Sequence, residues 1–468
     1  MDSKKRGGEK AVDVPDTIDE NPRKPVVNVF PKSDDLESVY KKDWDETTVT
    51  TPEVNEATNL HFRRVRMVQY LTLCWCFVLE GWNDGSLGPL LPRIQESYKI
   101  SYTVVSLLYV ILCVGYIIGA VLNIYLSEKL GFGKTITLGT ALQPILYMLI
   151  IPQPPYPVIV LGFGIYGFAC ALQNAQVNSF VARLKDPTKM AILHACYGSG
   201  AFASPFVSTQ FSTKKHWSYH YFTVLGVAVS ALVALLVVFR LGTIDDILVL
   251  GGLPPRPEKS PDEKKSNYKQ ILSLRTIHVL SFFILCYCGA EVTVGGWAVN
   301  YIIKRTGAGP SAGYVSSGFF GGLALGRVLL IWVNKKIGER RVIFMYAIIA
   351  ICLEIIIWTI PEFIPSAICF SFVGFFLGPM FPILMNQCGN LIPPQVLSGG
   401  IGWICSFGLV GCALVPFATG ALTDHFGVIS LQPLIISLLV MLCIFWAIAN
   451  YGHQTKTQKM DDILKSEC

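Results

Sequence analysis

Apolar stretches of about twenty residues recur along this chain, each long enough to cross a hydrocarbon core of roughly 30 Å as a helix. Twelve can be read, at 68–92, 102–126, 134–152, 156–180, 191–210, 219–240, 277–302, 312–333, 342–360, 364–388, 398–421 and 429–450. Backbone amides inside lipid have no water to bond, so such runs must be helical. Composition agrees: 52% of the 468 residues are hydrophobic and 15% are charged, against roughly 25% charged in soluble domains. A soluble bundle would need a polar coat that this composition does not supply. The expected fold class is an all-α polytopic membrane protein with twelve transmembrane helices.

The net charge is +6, and its placement is informative. With the N-terminus in the cytoplasm, the even-numbered connections carry Lys129 and Lys134, Arg183, Lys185 and Lys189, then Lys259, Lys264, Lys265 and Lys269, then Lys335, Lys336, Arg340 and Arg341. The odd-numbered connections carry fewer basic residues. The positive-inside bias therefore predicts both termini in the cytoplasm. The plasma membrane is the expected location, and an internal membrane is the alternative. The basic clusters are short and sit at span ends, which argues against nucleic-acid binding. Residues 1–66 are polar and read as a disordered cytoplasmic tail. Residues 67–240 and 274–452 each hold six spans. Between them, 241–273 reads as a cytoplasmic linker with a short surface helix near Ile244–Leu250, and 453–468 as a C-terminal tail. No signal peptide is visible, so the first span is the expected targeting signal. The fourteen cysteines scatter through the spans without CxxC spacing, which suits small lipid-compatible side chains better than a metal or redox site.

Two sixes of similar length suggest an internal repeat. The connection after span two reads NIYLSEKLGFGK, and the connection after span eight reads IWVNKKIGERR. Glu128, Lys129, Gly131 and Lys134 match Asn334, Lys335, Gly338 and Arg340 in type and order. Both fit a degenerate form of the loop motif G-x-x-x-D-[RK]-x-G-[RK]-[RK], which marks the major facilitator superfamily. Span one (LEGWNDG) and span seven (GAEVTVGGWAVNY) share a further set: a Glu, a Gly before a Trp, and an Asn. With LHACYGSGAFASPF, GFFGGLALGR and GPMFPILMN, these stretches resemble the fucose/galactose/glucose–proton symporter branch of that superfamily, and its fungal members most. The resemblance covers about residues 67 to 450. It implies two six-helix bundles, alternating access and a site at the seam between them. The bacterial symporter carries a carboxylate in its fourth span, and this chain has only amides there.

A charge at the centre of a spanning helix costs about 2.5–3.5 kcal/mol, so intramembrane acids need a reason. Glu80, Asn83 and Asp84 share one helical face at i, i+3 and i+4. Three readings stand side by side: the face lines a cavity, it pairs with neighbouring helices for packing, or it lies near the surface and is wet. Glu291 is the single carboxylate of span seven, and burial favours the neutral form of a carboxyl. Glu80, Asp84 and Glu291 are thus the candidate proton-coupling groups. A sugar site wants amides and carboxylates beside aromatic rings. Trp82, Asn83, Gln173, Asn174, Tyr197, Trp297, Asn300 and Asn386 are the candidate substrate-binding residues. In span four Gln173 and Gln176 face one way and Asn174 and Asn178 another, and the sequence does not choose between them. Arg327 either pairs with a carboxylate across the bundle or snorkels to the surface. The loop residues Glu128, Lys129, Gly131, Asn334, Lys335, Gly338 and Arg340 are gating candidates.

No phosphate-binding loop, catalytic triad or metal cluster has useful spacing, so neither an enzyme nor a cofactor is expected. The expected function is secondary transport of a small polar solute, a sugar or sugar-like molecule, coupled to protons. The expected partners are that solute, the proton and the bilayer, with the protein a monomer. The alternatives are an exporter of an amphiphilic metabolite or drug, and a transporter-like solute sensor.

Overall fold

The computed structural model describes residues 56–184, 186–253, 272–393 and 396–466. The N-terminal tail up to residue 55 and the linker from 254 to 271 lie outside the described residues. The described chain is helical throughout. The N-terminal half holds α1 (Glu56–Tyr98), α2 (Tyr102–Leu130), α3 (Phe132–Ile150), α4 (Tyr156–Arg183), α5 (Pro187–Ser212) and α6 (His220–Phe239), then the short α7 (Ile244–Leu250). The C-terminal half holds α8 (Arg275–Thr306), α9 (Tyr314–Leu329), α10 (Ile331–Ile337), α11 (Glu339–Thr359), α12 (Phe363–Leu377), α13 (Met380–Leu391), α14 (Leu397–Phe426) and α15 (Leu431–Ser466).

These helices map onto the twelve expected spans, with α9/α10 forming span eight and α12/α13 span ten. By length and hydropathy alone, eight helical segments among the described residues qualify as spans, and the α9/α10 pair, bent by 51°, makes a ninth. The three that fall short are α1, α3 and α5, and α1 is where Glu80, Asn83 and Asp84 sit. Their polar content is the difference, because their lengths suffice. Two boundaries differ from the sequence reading. α1 begins inside the expected tail, at Glu56, and α15 runs on to Ser466.

The two halves repeat one packing scheme. Span one packs on span five, two on four, three on six; likewise seven packs on eleven, eight on ten, nine on twelve. Glycines permit the close approaches. A Cβ on Gly81 of α1 would lie 1.9 Å from the Tyr197 carbonyl oxygen of α5, and one on Gly326 of α9 would lie 1.9 Å from the Phe375 carbonyl oxygen of α12. Backbone rests on backbone there, as small residues allow in membrane helices.

Contact between the halves is sparser. It runs through α2 on α14, α5 on α9, and α1 on α8. The named contacts gather toward the face bearing the odd-numbered connections. Asp424 of α14 accepts hydrogen bonds from the Tyr102 and Thr103 amides at 2.9 and 2.8 Å. Gln210 donates to Tyr314, Gly313 abuts Thr209, and Gly88 abuts Ser316 and Gly295. The seam is therefore closed at that face. The opposite face carries the start of α1 and the end of α15.

α7 is docked rather than lying loose. Ile244, Ile247 and Leu248 are buried. Gln69 donates to the Ile247 carbonyl, Arg66 to that of Gly251, and Gly133 to that of Gly242. Thr243 and Asp246 close a capping box at its start, satisfying two helix-end donors.

Candidate functional site

Three polar pairs are contributed by α1, α4, α5, α8 and α9. On α1, Asp84 accepts a 3.0 Å hydrogen bond from the Tyr197 hydroxyl of α5. One turn earlier, Glu80 accepts from the Asn174 amide of α4. On α8, Glu291 lies 3.7 Å from the Arg327 guanidinium of α9, and their side chains are 16% and 19% exposed. Arg327 Nε also donates to the Gly378 carbonyl at 3.3 Å, which anchors the cation to span ten. Next to Tyr197, a Cβ on Gly198 would lie 3.1 Å from the Ala324 Cβ of α9, one turn before Arg327. The cluster thus draws on both halves of the chain.

Asn83 is buried beside these acids, and Trp82 is half-buried with its indole N–H unpartnered among the described residues. His194, on the same helix as Tyr197, packs edge-to-face on Phe77 at 5.5 Å. In span four the two faces separate. Asn174 turns to Glu80, and Asn178 donates back to the Asn174 carbonyl. Gln173 instead accepts from Thr140 and Gln143 and donates to the Cys76 carbonyl. Gln176 donates to Asn123 at 2.7 Å and to Ser127. The glutamines knit α4 to α1, α2 and α3. Trp297 and Asn300 are buried on α8, Trp297 with its ring 5.8 Å from that of Tyr102. Asn386 lies apart from the cluster: its amide donates to both carboxylate oxygens of Glu339 at 2.7 and 2.8 Å, and Gln387 adds a third bond at 2.6 Å.

The loop residues are placed as follows. Glu128 and Lys129 are exposed, with Lys129 donating to the Tyr125 hydroxyl. Gly131 and Gly338 take the positive φ values of +81° and +92°, a region glycine enters without steric cost. Asn334 accepts from the Tyr346 hydroxyl at 2.7 Å, Lys335 is exposed, and the Arg340 carbonyl accepts from Trp446. The sequence reading passed over Glu339, Asp424, His220 and Glu354. Glu354 of α11 is 0% exposed, and a lone acid within a long apolar run is the same signal that singled out Glu291. No cluster of three metal-ligating side chains occurs among the described residues.

Comparison with known proteins adds to this geometry. The pattern of the Major Facilitator Superfamily matches residues 73–300 and 279–462. The chain belongs to the major facilitator superfamily. It is therefore a multi-pass membrane transporter rather than an enzyme. Among superfamily relatives, the Saccharomyces cerevisiae protein "Bypass of stop codon protein 6" is 24% identical over 431 residues, 86% of this chain and 85% of that one. The Brucella abortus "Glucose/galactose transporter" is 24% identical over 380 residues, 76% of this chain and 88% of that one. The crystal structure of the E. coli fucose:proton symporter superposes with a TM-score of 0.57 at 16% identity, covering 82% of this chain and 98% of that one. This superfamily member thus has sugar transporters among its relatives, and its fold is theirs.

Proposed function

We propose that this transporter moves an uncharged polyhydroxyl solute, a sugar or sugar-like molecule, together with protons. The observation that carries the reading is the joint acid–base cluster, Asp84–Tyr197 on one half and Glu291–Arg327 on the other. Hydroxyl-rich solutes need donors and acceptors beside an aromatic ring, and Asp84, Asn83, Asn174, Tyr197 and Trp82 offer that combination. The named relatives that carry glucose, galactose or fucose support the same class.

Glu291 is the proposed proton site. Ionised, it pairs with Arg327; protonated, it releases the guanidinium. The two states therefore differ in what holds span seven to span eight, which is the differential interaction coupling needs. Glu80 and Asp84 are the proposed solute-side acids. The charge bias of the connections supports cytoplasmic termini, and on that reading the conformation described is the one closed toward the exterior.

The test is uptake of D-glucose, D-galactose and L-fucose by proteoliposomes under an imposed pH gradient. The expected result is accumulation driven by an inward proton gradient for at least one of the three. Glu291→Gln is expected to abolish gradient-driven accumulation while leaving solute exchange at equal concentrations. No sugar uptake in either direction overturns the solute class, and undiminished accumulation by Glu291→Gln removes that residue from coupling.

A further inference from the structure

α2 and α8 meet across the seam through a few side chains. Across it Tyr102 reaches Trp297, and the Tyr109 hydroxyl fills the space that a side chain on Gly296 would take. A helix turns about 100° per residue, so Gly296 and Trp297 bracket one sector of α8. Thr293 and Asn300 both fall inside that sector and face α2. Thr293, Trp297 and Asn300 are sealed, at 0%, 2% and 1% exposed. Yet the Thr293 hydroxyl, the Trp297 indole nitrogen, both amide atoms of Asn300 and the Tyr109 hydroxyl lack partners among the described residues.

Buried polar groups are normally paired, and each exception calls for an explanation. A packing role does not supply one, since apolar side chains of the same size would seal this contact better. A seam that opens does supply one. When the halves part at the odd-connection face, these groups meet water or solute, and their closed-state loneliness helps the seam to part.

We propose that Thr293, Trp297 and Asn300 form a second solute subsite, sealed in this conformation and exposed when the halves separate at the odd-connection face. It rests on the proposed solute class. An amide, a hydroxyl and an indole N–H beside a ring face suit the same hydroxyl-rich molecule. The acid cluster would then receive the solute from this outer tier.

The experiment labels Asn300→Cys in proteoliposomes with a membrane-impermeant thiol reagent applied from the odd-connection face, read against the parent's own cysteines. It is repeated with Asp424→Ala, which removes a bond across the closed seam. The expected result is labelling at position 300 that rises about fivefold or more with Asp424→Ala, the lower end of the shift expected from losing that cap, and that slows under any sugar the parent carries. Position 300 inert in both backgrounds overturns the proposal, as does labelling indifferent to a transported sugar. A second arm guards against misfolding: Thr293→Val with Asn300→Leu is expected to raise the KM for entry from the odd-connection face about tenfold, the loss of roughly one good hydrogen bond, with the exit KM unchanged. Equal changes from both faces overturn the state-specific assignment. Should the parent carry no sugar, the sugar reading fails on its own, and the rise or absence of labelling still decides whether the tier becomes exposed.

Discussion

Asp424 holds the two halves together at one end, and removing it is expected to open that end. Its carboxylate accepts from the Tyr102 amide at 2.9 Å and from the Thr103 amide at 2.8 Å, with the Thr103 hydroxyl as a third donor. Ser101 takes the next free amide, that of Val104. Asp424 therefore caps α2 from the other half of the chain. Loss of a capping side chain costs about 0.5–2 kcal/mol, and an acid at a helix N-terminus adds about 0.3–1 kcal/mol. The site is exposed, which favours the lower values, so about 1–2 kcal/mol is expected for Asp424→Ala. Because the bond spans the seam, the whole loss falls on the closed-to-open balance, a shift of roughly five- to thirtyfold. Asp424→Asn keeps an acceptor and loses the charge, so it should move the balance less, by about two- to fivefold. Spin labels at the exposed positions Ser97 and Ile429, either side of the seam, report the opening as a longer distance population. Identical distance distributions in all three proteins would refute the capping argument.

Three further outcomes are expected. Tyr197→Phe removes the donor to Asp84; a hydrogen bond to a charged group contributes about 1.5–3 kcal/mol, so the KM for a transported sugar should rise tenfold or more in an uptake assay. Gly81→Ala sets a methyl 1.9 Å from the Tyr197 carbonyl and 2.9 Å from the Ala201 amide. Neither backbone group can swing away, so α1 and α5 must separate at a cost of about 1–3 kcal/mol or more, seen as a lower melting midpoint and a smaller folded yield. Glu339→Ala strips the acceptor from the exposed Asn386 and the buried Gln387; at about 1–3 kcal/mol for the one orphaned buried amide, it should lower thermal stability with solute affinity unchanged.

Much of the fold is legible in the sequence because lipid enforces it. Runs long enough to span must be helices, so the twelve segments and their division into sixes follow from length and hydropathy. Even the linker helix Ile244–Leu250 appears where its apolar residues suggest it, although those residues are buried against the first bundle rather than lying on a surface. The site is less legible, since polarity marks a residue without giving its direction. Span four shows this: four amides are plain in the sequence, yet only the structure separates Asn174, turned to Glu80, from Gln173 and Gln176, used up in holding helices together. Asn386 reads as a cavity amide and instead grips Glu339. Asp424 sits at a span end, where an acid attracts no notice until a helix from the other half ends against it.

The contrast between extensive packing inside each half and sparser contact between them has a mechanical consequence. Each lobe behaves as a stiff lever, since its glycine joints leave no slack to absorb displacement. Compliance is confined to a few replaceable links such as Asp424 with α2. Transport speed can therefore change by single substitutions in those links, while the architecture that shapes the solute's surroundings stays fixed.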